Sequence, residues 1–357
     1  MIKDLILSAF ILIGINAFAQ IPTGYYDNAI GDTGITMKIS LHNIIKGHTV
    51  ASYSSLHNHY KTTDKKPNGK VWDMYSDVPG GTPPYQFTFI TDKCGNYQSE
   101  GDCYNREHSF PQSWFSKKSP MKSDLFHVIP TDGKVNGMRS SYPYGEVSNP
   151  TKTSLNGSKL GPNTTAGYSG KVFEPIDAYK GDLARNYFYM AVRYYSEDGN
   201  WPGSASTNGA EPKPWALNLL YQWHIQDTVS QKEIDRNNAV YAIQHNRNPF
   251  IDHPEWVDTI WFYSTSGPSA IEKTVQELDV VLAPNPVHHQ SYLILTNHEQ
   301  KQYIISIFDI QGRLIEKTQA QGNRIQLNTQ NLETGTYILN IHSKDLLLSK
   351  NLKFIKR

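Results

Sequence analysis

The sequence changes character near residue 264, and this break limits the possible folds more than any other feature. Before it, helical patterns alternate with long loops rich in Gly, Pro, Asn and Ser. The stretch 265–274 is mostly small and polar, which is typical of a linker. After it, short strand-like runs recur at intervals of roughly ten residues, separated by turn signals. We therefore predict two folded domains, 20–264 and 275–357, joined by the linker.

The patterns within the first domain predict an α+β fold that is mostly helical. Helical spacing of apolar residues appears over 40–48 and again after Gly181. Ser230 and Glu233 have the spacing of a capping box, and the helix that they open should end before Pro249. Strand-like pieces in this domain are few and short, such as 87–90 and 125–129.

The second domain is predicted to be a small all-β sandwich. The predicted strands are 292–295, 303–308, 324–327 and 337–341. Three short motifs accompany them: Ala283-Pro284-Asn285-Pro286, Phe308-Asp309-Ile310-Gln311-Gly312-Arg313 and Gly335-Thr336-Tyr337-Ile338-Leu339. These motifs resemble the C-terminal sorting domain of type IX secretion substrates, which implies export to the medium or cell surface by the type IX machinery. An accessory binding domain is the alternative.

The N-terminus also points to export. Residues 1–19 contain a short apolar core over 5–15 and end in Ala17-Phe18-Ala19, the pattern of a secretory signal with its cleavage site. Because the core is too short to cross a bilayer, we expect no stable membrane insertion. The two cysteines, Cys94 and Cys103, are predicted to form a disulfide, as is usual in exported proteins.

Charge gives one further restriction. The formal net charge is +1, so the whole protein has no long-range attraction for a polyanion, and any nucleic-acid contact must come from a local patch. The basic run Lys61, Lys65, Lys66 and Lys70, with Trp72 and Tyr75 nearby, is one candidate. Such a run is more often a solvated face, but it could grip phosphates while the aromatic rings stack on bases.

The adjacent pair Glu107-His108 is the first sign of chemistry. A hard divalent cation prefers oxygen ligands, and Glu107 offers a carboxylate. His108 is then free to take a proton from an attacking water. On a strand the two side chains point to opposite faces, so a local twist or a bulge would have to bring both to one site.

A second run completes the pattern. Residues 125–129 are predicted to form a buried strand that Pro130 ends, and Thr131 and Asp132 are suitable helix-start residues. Asn136 then falls about one turn into a helix, where its amide oxygen provides a second hard ligand. A hairpin followed by a helix, with a base on the hairpin and a ligand on the helix, is a ββα-metal arrangement.

Several separated motifs, in the same order, resemble the bacterial endonuclease I family over about residues 30–262. The resemblance implies a secreted, sequence-nonspecific nuclease that usually uses Mg²⁺, acts on DNA, with RNA open as a second substrate, and leaves 5′-phosphate ends. The matching stretches are Asn105-Arg106-Glu107-His108, Pro111 with Ser113, Asp124-Leu125, His127, Pro130, Val135-Asn136-Gly137, Arg139-Ser140, Val172-Phe173-Glu174-Pro175, Gly181-Asp182-Leu183-Ala184-Arg185 and Asn246-Arg247-Asn248-Pro249-Phe250.

Carried over residue by residue, the resemblance makes His108 the general base and Glu107 and Asn136 the metal ligands. Two departures stand out. Phe126 replaces a histidine that family members often have, and the inserted loop that supplies a phosphate-binding arginine in some members is absent. Arg139 is a candidate for that catalytic role by proximity, with a structural ion pair as an equal alternative, and a lysine among Lys117, Lys118 and Lys122 is another candidate.

Other functions remain open at this level. A secreted metallohydrolase with another substrate is one, although the chain lacks the H-E-x-x-H motif of zinc proteases. A noncatalytic surface adhesin that binds glycans through its Tyr and Trp side chains is another, and it predicts that Glu107, His108 and Asn136 do not converge. We expect structural roles for His127, Asp124, Glu174 and the pair Asp252-His253.

Overall fold

The fold is described from a computed structural model that covers residues 21–262, 279–288, 290–296, 302–309, 314–343 and 349–357. The predicted signal segment 1–19 and the predicted linker 265–274 lie outside these described residues. The chain divides into two compact units, Met1–Tyr263 and Ser264–Arg357. The division falls next to the boundary that the sequence predicts.

The first unit is mostly helical, with small antiparallel sheets between the helices. Its helices are α1 Gly34–Ile45, α2 Leu56–Thr63, α3 Gly133–Arg139, α4 Lys180–Arg193, α5 Pro214–Gln226, α6 Gln231–Gln244 and α7 Pro249–Asp252. Its strands are β1 Tyr104–His108, β2 Val128–Asp132, β3 Lys152–Thr153, β4 Lys159–Pro162, β5 Lys171–Glu174, β6 Thr207–Asn208 and β7 Glu211–Pro212. This architecture confirms the predicted α+β class.

Helix α4 is the centre of this unit, because every one of its residues is buried. Its polar residues can be buried since they are paired: Arg185 bonds the carboxylate of Glu233, and Arg193 bonds Glu197. Glu233 also completes the predicted capping box with Ser230 at the start of α6. That helix ends before Pro249, as the sequence predicts.

A β-hairpin and a short helix carry the sequence-predicted site residues. Strand β1 pairs antiparallel with β2, with Glu107 opposite Ile129 and His108 opposite Val128. Helix α3 follows β2 directly. Asp132 caps α3 by accepting a hydrogen bond from the Val135 amide at 2.8 Å. The predicted strand–strand–helix order is therefore present.

Two strand predictions were wrong in position. The predicted strand 125–129 begins only at Val128, because the Asp124 carbonyl accepts bonds from the amides of His127 and Val128 and forms a turn there. Pro130 lies inside the strand instead of ending it. A two-stranded ribbon tolerates proline, since each strand has an edge that needs no ladder bond. The run 87–90, also strand-like in sequence, lies in a loop and a turn.

The predicted disulfide between Cys94 and Cys103 is present and closes a loop just before β1. Tyr97 of this loop lies across α3. A Cβ atom added at Gly133 would come within 2.5 Å of the Tyr97 ring, and one at Gly137 within 2.4 Å of its hydroxyl oxygen. The two glycines, one turn apart, therefore form the groove that receives the ring.

The second unit is the predicted all-β domain. Its strands are β8 Val280–Ala283, β9 Gln290–Leu295, β10 Gln302–Asp309, β11 Leu314–Gln321, β12 Arg324–Asn328, β13 Gly335–Ser343 and β14 Ser349–Lys356. They form a four-stranded sheet in the order β11-β10-β13-β14 and a three-stranded sheet in the order β12-β9-β8. Alternate residues of both sheets share one hydrophobic core, as in a sandwich. The sequence missed β8, β11 and β14.

Candidate active site

The two faces of β1 divide the candidate residues into two groups. The pairing register with β2 runs from Tyr104 to His108 without interruption. Alternation along the strand therefore puts Asn105 and Glu107 on the face that meets α3, and Arg106 and His108 on the other. No bulge brings Glu107 and His108 to one face, so a site that uses both side chains must lie at the end or edge of the strand.

Glu107 is buried beneath α3, and its contacts are mostly with one carboxylate oxygen. Oε1 accepts hydrogen bonds from the Tyr75 hydroxyl at 2.9 Å and from the Arg139 guanidinium at 3.0 Å. In the described part of the chain, no side chain donates to Oε2. Burial raises the pKa of Glu107 to about 7, although Arg139 and the Tyr75 hydrogen bond lower it. A nearby cation would favour the ionised form.

Asn136 lies in α3 on the side of β1 that Glu107 faces, and it is partly exposed. Its Nδ2 donates to the Asn105 side-chain oxygen at 2.7 Å and lies 3.4 Å from the Arg106 carbonyl. These contacts use the amide nitrogen, and none of the described residues donates to the amide oxygen of Asn136, which is therefore available as an acceptor.

The donor set suits a hard cation. Glu107 and Asn136 offer one carboxylate and one amide oxygen from adjacent elements, and Mg²⁺ typically takes few protein ligands and keeps its remaining positions for water and substrate oxygens. Among the described residues, no group of three or more His, Cys, Asp or Glu side chains could hold a metal ion. A metal bound at this hairpin would therefore depend on the Glu–Asn pair.

Arg139 is placed differently from a phosphate-binding residue. Its side chain is fully buried, and its guanidinium donates to Glu107 Oε1, to the His108 carbonyl at 2.8 Å and to the Ser109 carbonyl at 2.6 Å. It also lies over the Tyr144 ring, 4.7 Å from the centroid. With these acceptors and no exposed surface, the geometry opposes the phosphate contact that the sequence suggests and favours the structural ion pair.

The His108 ring is held by a backbone carbonyl. Its Nε2 lies 3.0 Å from the Lys122 carbonyl oxygen, which can only accept, so Nε2 carries the proton and Nδ1 is the basic nitrogen. The ring lies near Tyr53, Phe115 and His127, with centroid separations of 6.0, 6.1 and 5.6 Å. Burial, then the neighbouring His127, lowers the pKa of His108 to about 3, so the imidazole is neutral at physiological pH.

Two residues between β1 and β2 are buried and fix the turn that precedes β2. Asp124 is fully buried and accepts hydrogen bonds from the hydroxyls of Tyr189 and Tyr194, both at 2.8 Å, and from the Gln244 amide at 3.0 Å. His127 bonds the Met121 carbonyl through Nε2 at 2.6 Å. Both residues hold the turn before β2. Phe126, where family members often have histidine, packs on Tyr189 in the core.

Sequence reasoning missed several residues that surround the site. Tyr75 and Tyr144 hydrogen-bond to each other at 2.8 Å, and the Tyr75 hydroxyl donates to Glu107. The sequence marks Tyr75 only as a ring beside the basic run and does not mark Tyr144. The basic run is not a free cationic surface throughout, since Lys66 is ion-paired with Asp77 and Tyr75 is buried. Arg106 was visible within the motif, but the sequence assigned it no role.

Comparison with known proteins agrees with this arrangement. A family model described as Endonuclease I matches residues 33–255, and one described as a secretion system C-terminal sorting domain matches residues 281–357. In the described residues, no helix has both the length and the apolar character of a bilayer-spanning segment.

Three curated relatives illustrate the similarity. The chain is 38% identical over 247 residues to the extracellular ribonuclease of Bacillus amyloliquefaciens, covering 66% of this chain and 78% of that protein. It is 37% identical over 246 residues to the extracellular ribonuclease of Bacillus subtilis (strain 168), with the same coverage of 66% and 78%. It is 28% identical over 131 residues to Endonuclease-1 of Buchnera aphidicola subsp. Baizongia pistaciae, covering 37% of this chain and 46% of that protein.

The match to the family model extends over more than half of the chain and includes β1, β2 and α3. The sorting-domain match accounts for most of the β-rich second unit. The chain therefore belongs to the endonuclease I family, as the motifs predict, and is a secreted or surface-exposed nuclease that hydrolyses phosphodiester bonds and carries a C-terminal sorting domain.

Proposed function

We propose that this nuclease is an Mg²⁺-dependent endonuclease that cleaves DNA and RNA with little sequence preference and leaves 5′-phosphate ends. The observation that carries the proposal is the His108 ring, whose Nε2–H is held by the Lys122 carbonyl so that Nδ1 is the proton acceptor. Activity on RNA is supported by the two Bacillus relatives, which are named extracellular ribonucleases. The Buchnera relative is named Endonuclease-1.

In this proposal His108 takes the proton from the attacking water through Nδ1. Its neutral state at physiological pH makes the nitrogen available without prior deprotonation. Glu107 and Asn136 would hold the Mg²⁺, and the ion would supply charge stabilisation for the phosphate and for the leaving 3′ oxygen. The buried Arg139 acts as a positioning residue, because it fixes both the Glu107 carboxylate and the His108 carbonyl.

We infer that export uses both ends of the chain. Residues 1–19 would be removed as a signal peptide, 20–264 would form the nuclease, and the module at 275–357 would direct the protein to the type IX machinery. The sorting-domain match over residues 281–357 supports the last step.

The direct test is cleavage of plasmid DNA and of a labelled RNA by the purified protein, in Mg²⁺ and in EDTA. His108→Ala should reduce the rate by about 10²–10⁴-fold, the usual contribution of a general base. Asn136→Ala should instead raise the Mg²⁺ concentration needed for half-maximal rate. His245→Asn is a matched control, since His245 is an exposed helix C-cap whose left-handed backbone asparagine tolerates. Cleavage by His108→Ala at the wild-type rate would remove His108 as the base.

A further inference from the structure

One arginine of the nuclease unit differs from all the others. The described part of this unit contains six arginines, and five of them pair with a carboxylate. Arg106 is the exception, since no Asp or Glu in the described residues lies within salt-bridge distance of it. The five pairs are Arg139–Glu107, Arg185–Glu233, Arg193–Glu197, Arg236–Asp64 and Arg247–Asp252.

Arg106 is held in place by neutral groups. One guanidinium nitrogen donates to the Tyr53 carbonyl at 2.8 Å, and the guanidinium carbon lies 3.8 Å from the centroid of the Tyr53 ring. The Lys122 ammonium approaches the same ring at 4.8 Å, and within the described residues it also has no carboxylate partner. All three side chains are partly exposed. Two uncompensated positive charges therefore flank one tyrosine.

This cationic pair lies beside the proposed base. Arg106 and His108 are two positions apart on β1, so their side chains share a face and their Cα atoms are about 6.6 Å apart. The Tyr53 ring is stacked near the His108 ring, and the Lys122 carbonyl holds His108 Nε2. Tyr53, which contacts both cations, and Lys122 itself therefore also lie beside the His108 ring.

An exposed cation without a carboxylate partner is suited to an anionic ligand. The other five arginines of the nuclease unit have their charge compensated by a carboxylate, whereas none of the described carboxylates uses the donors of the Arg106 guanidinium. Because the protein has a formal net charge of only +1, attraction for a polyanion must come from such local groups. A guanidinium ordered over an aromatic ring is also preorganised for two-pronged contact with a phosphate.

We propose that Arg106, with Lys122, binds the substrate backbone phosphates at the cleavage site. Some family members bind the phosphate through an arginine on an inserted loop, and this chain lacks that loop. Arg106 and Lys122 would bind the phosphate in its place. Tyr53 would serve as the platform that orders both cations. This inference rests on the proposed function in taking His108 as the base, but phosphate binding itself does not require that assignment.

Two measurements test the proposal. Binding of a fluorescein-labelled DNA duplex is followed by anisotropy in EDTA, where cleavage is stopped, at a series of salt concentrations. Steady-state cleavage of the same duplex is then measured in Mg²⁺. The variants are Arg106→Gln, Arg106→Lys and Lys122→Met. Lys46→Met is the control, since Lys46 is an exposed lysine after α1 whose loss changes the net charge equally.

We expect Arg106→Gln to weaken binding and raise KM about tenfold, as for the removal of one charge-assisted hydrogen bond, with a smaller change in kcat. The slope of log K against log salt should fall by about 0.9 for each phosphate that the protein no longer neutralises. Arg106→Lys should restore the slope but not the full affinity, and Lys46→Met should change neither quantity.

The proposal fails if Arg106→Gln and Lys122→Met, both with wild-type circular dichroism, keep the wild-type salt slope. It also fails if their affinity matches that of Lys46→Met. Cleavage by the His108→Ala variant in Mg²⁺ separates this proposal from the proposed function. If that variant still cleaves, the base assignment is lost, whereas the salt slope in EDTA continues to decide the role of Arg106.

Discussion

Replacing Arg139 by methionine should destabilise the nuclease unit strongly, because the guanidinium ties α3 to the end of β1. It is fully buried and donates to one carboxylate and to two backbone carbonyls within 3.0 Å. Removing one partner of a buried ion pair typically costs about 3–5 kcal/mol. The two carbonyls, each left without this donor, add to the loss, whereas the methionine side chain fills part of the volume. We expect a decrease of about 4 kcal/mol in the free energy of unfolding.

Urea unfolding followed by tryptophan fluorescence measures this decrease in the intact protein. All seven tryptophans precede residue 262, so the signal reports on the nuclease unit and not on the β-rich unit. Arg139→Lys keeps a charge and one donor direction, and about half of the decrease is expected. Cleavage should also fall in both variants, because Glu107 and the His108 backbone lose the group that positions them.

Arg106→Gln is the matched comparison, since it removes an arginine from the same motif that has no carboxylate partner in the described residues. It should cost less than about 1 kcal/mol, as for a surface substitution, while reducing the salt slope of DNA binding. The opposite pattern would refute our reasoning. An Arg139→Met protein with wild-type stability and a reduced salt slope would make Arg139 the phosphate contact.

Three further predictions concern groups around the site. Burial by itself raises the pKa of Asp124. The nearby histidines and the hydrogen bonds to the carboxylate together have a larger opposite effect, so the pKa is lowered to about 2. Its ionised form therefore contributes about 2 kcal/mol of stability above pH 4, and this contribution is lost as pH falls toward 2. Asp124→Asn should remove this dependence from acid unfolding curves. Gly137→Ala should displace Tyr97 from α3 and raise the Mg²⁺ requirement, whereas an unchanged requirement would show that the ring is not a support. Serine at both Cys94 and Cys103 should cost about 2.7 kcal/mol by loop entropy, and equal urea midpoints would contradict this.

Secondary structure in the nuclease unit was predicted correctly where it depends on residues close together in the sequence. The capping box at Ser230 was predicted because it depends on residues within one turn of the helix start. Helix α6 does end before Pro249, but it ends at Gln244, where His245 takes a left-handed conformation. The strand at 125–129 was misplaced because the Asp124 turn depends on burial of that carboxylate among Tyr189, Tyr194 and Gln244, which are distant in sequence.

The candidate site also contains residues that the sequence identifies and residues whose roles it cannot distinguish. Glu107, His108 and Asn136 can be named as candidates from the sequence, because the motif lies in two short runs and the residue types suit a metal and a base. The sequence could not separate the two arginines. Arg139 is close to Asn136 in sequence and was a candidate for phosphate binding, whereas Arg106 is next to Glu107 and was assigned no role.

The sequence by itself determined the two-domain plan, the family, the disulfide and the choice of chemistry, since each depends on composition or on residues close together in the chain. Only the tertiary structure decided which arginine is buried against Glu107 and which remains partly exposed beside His108. The physical reason is that charge compensation depends on neighbours in space: the carboxylate and carbonyls around Arg139 satisfy it, and the Tyr53 ring and carbonyl beside Arg106 carry no opposite charge.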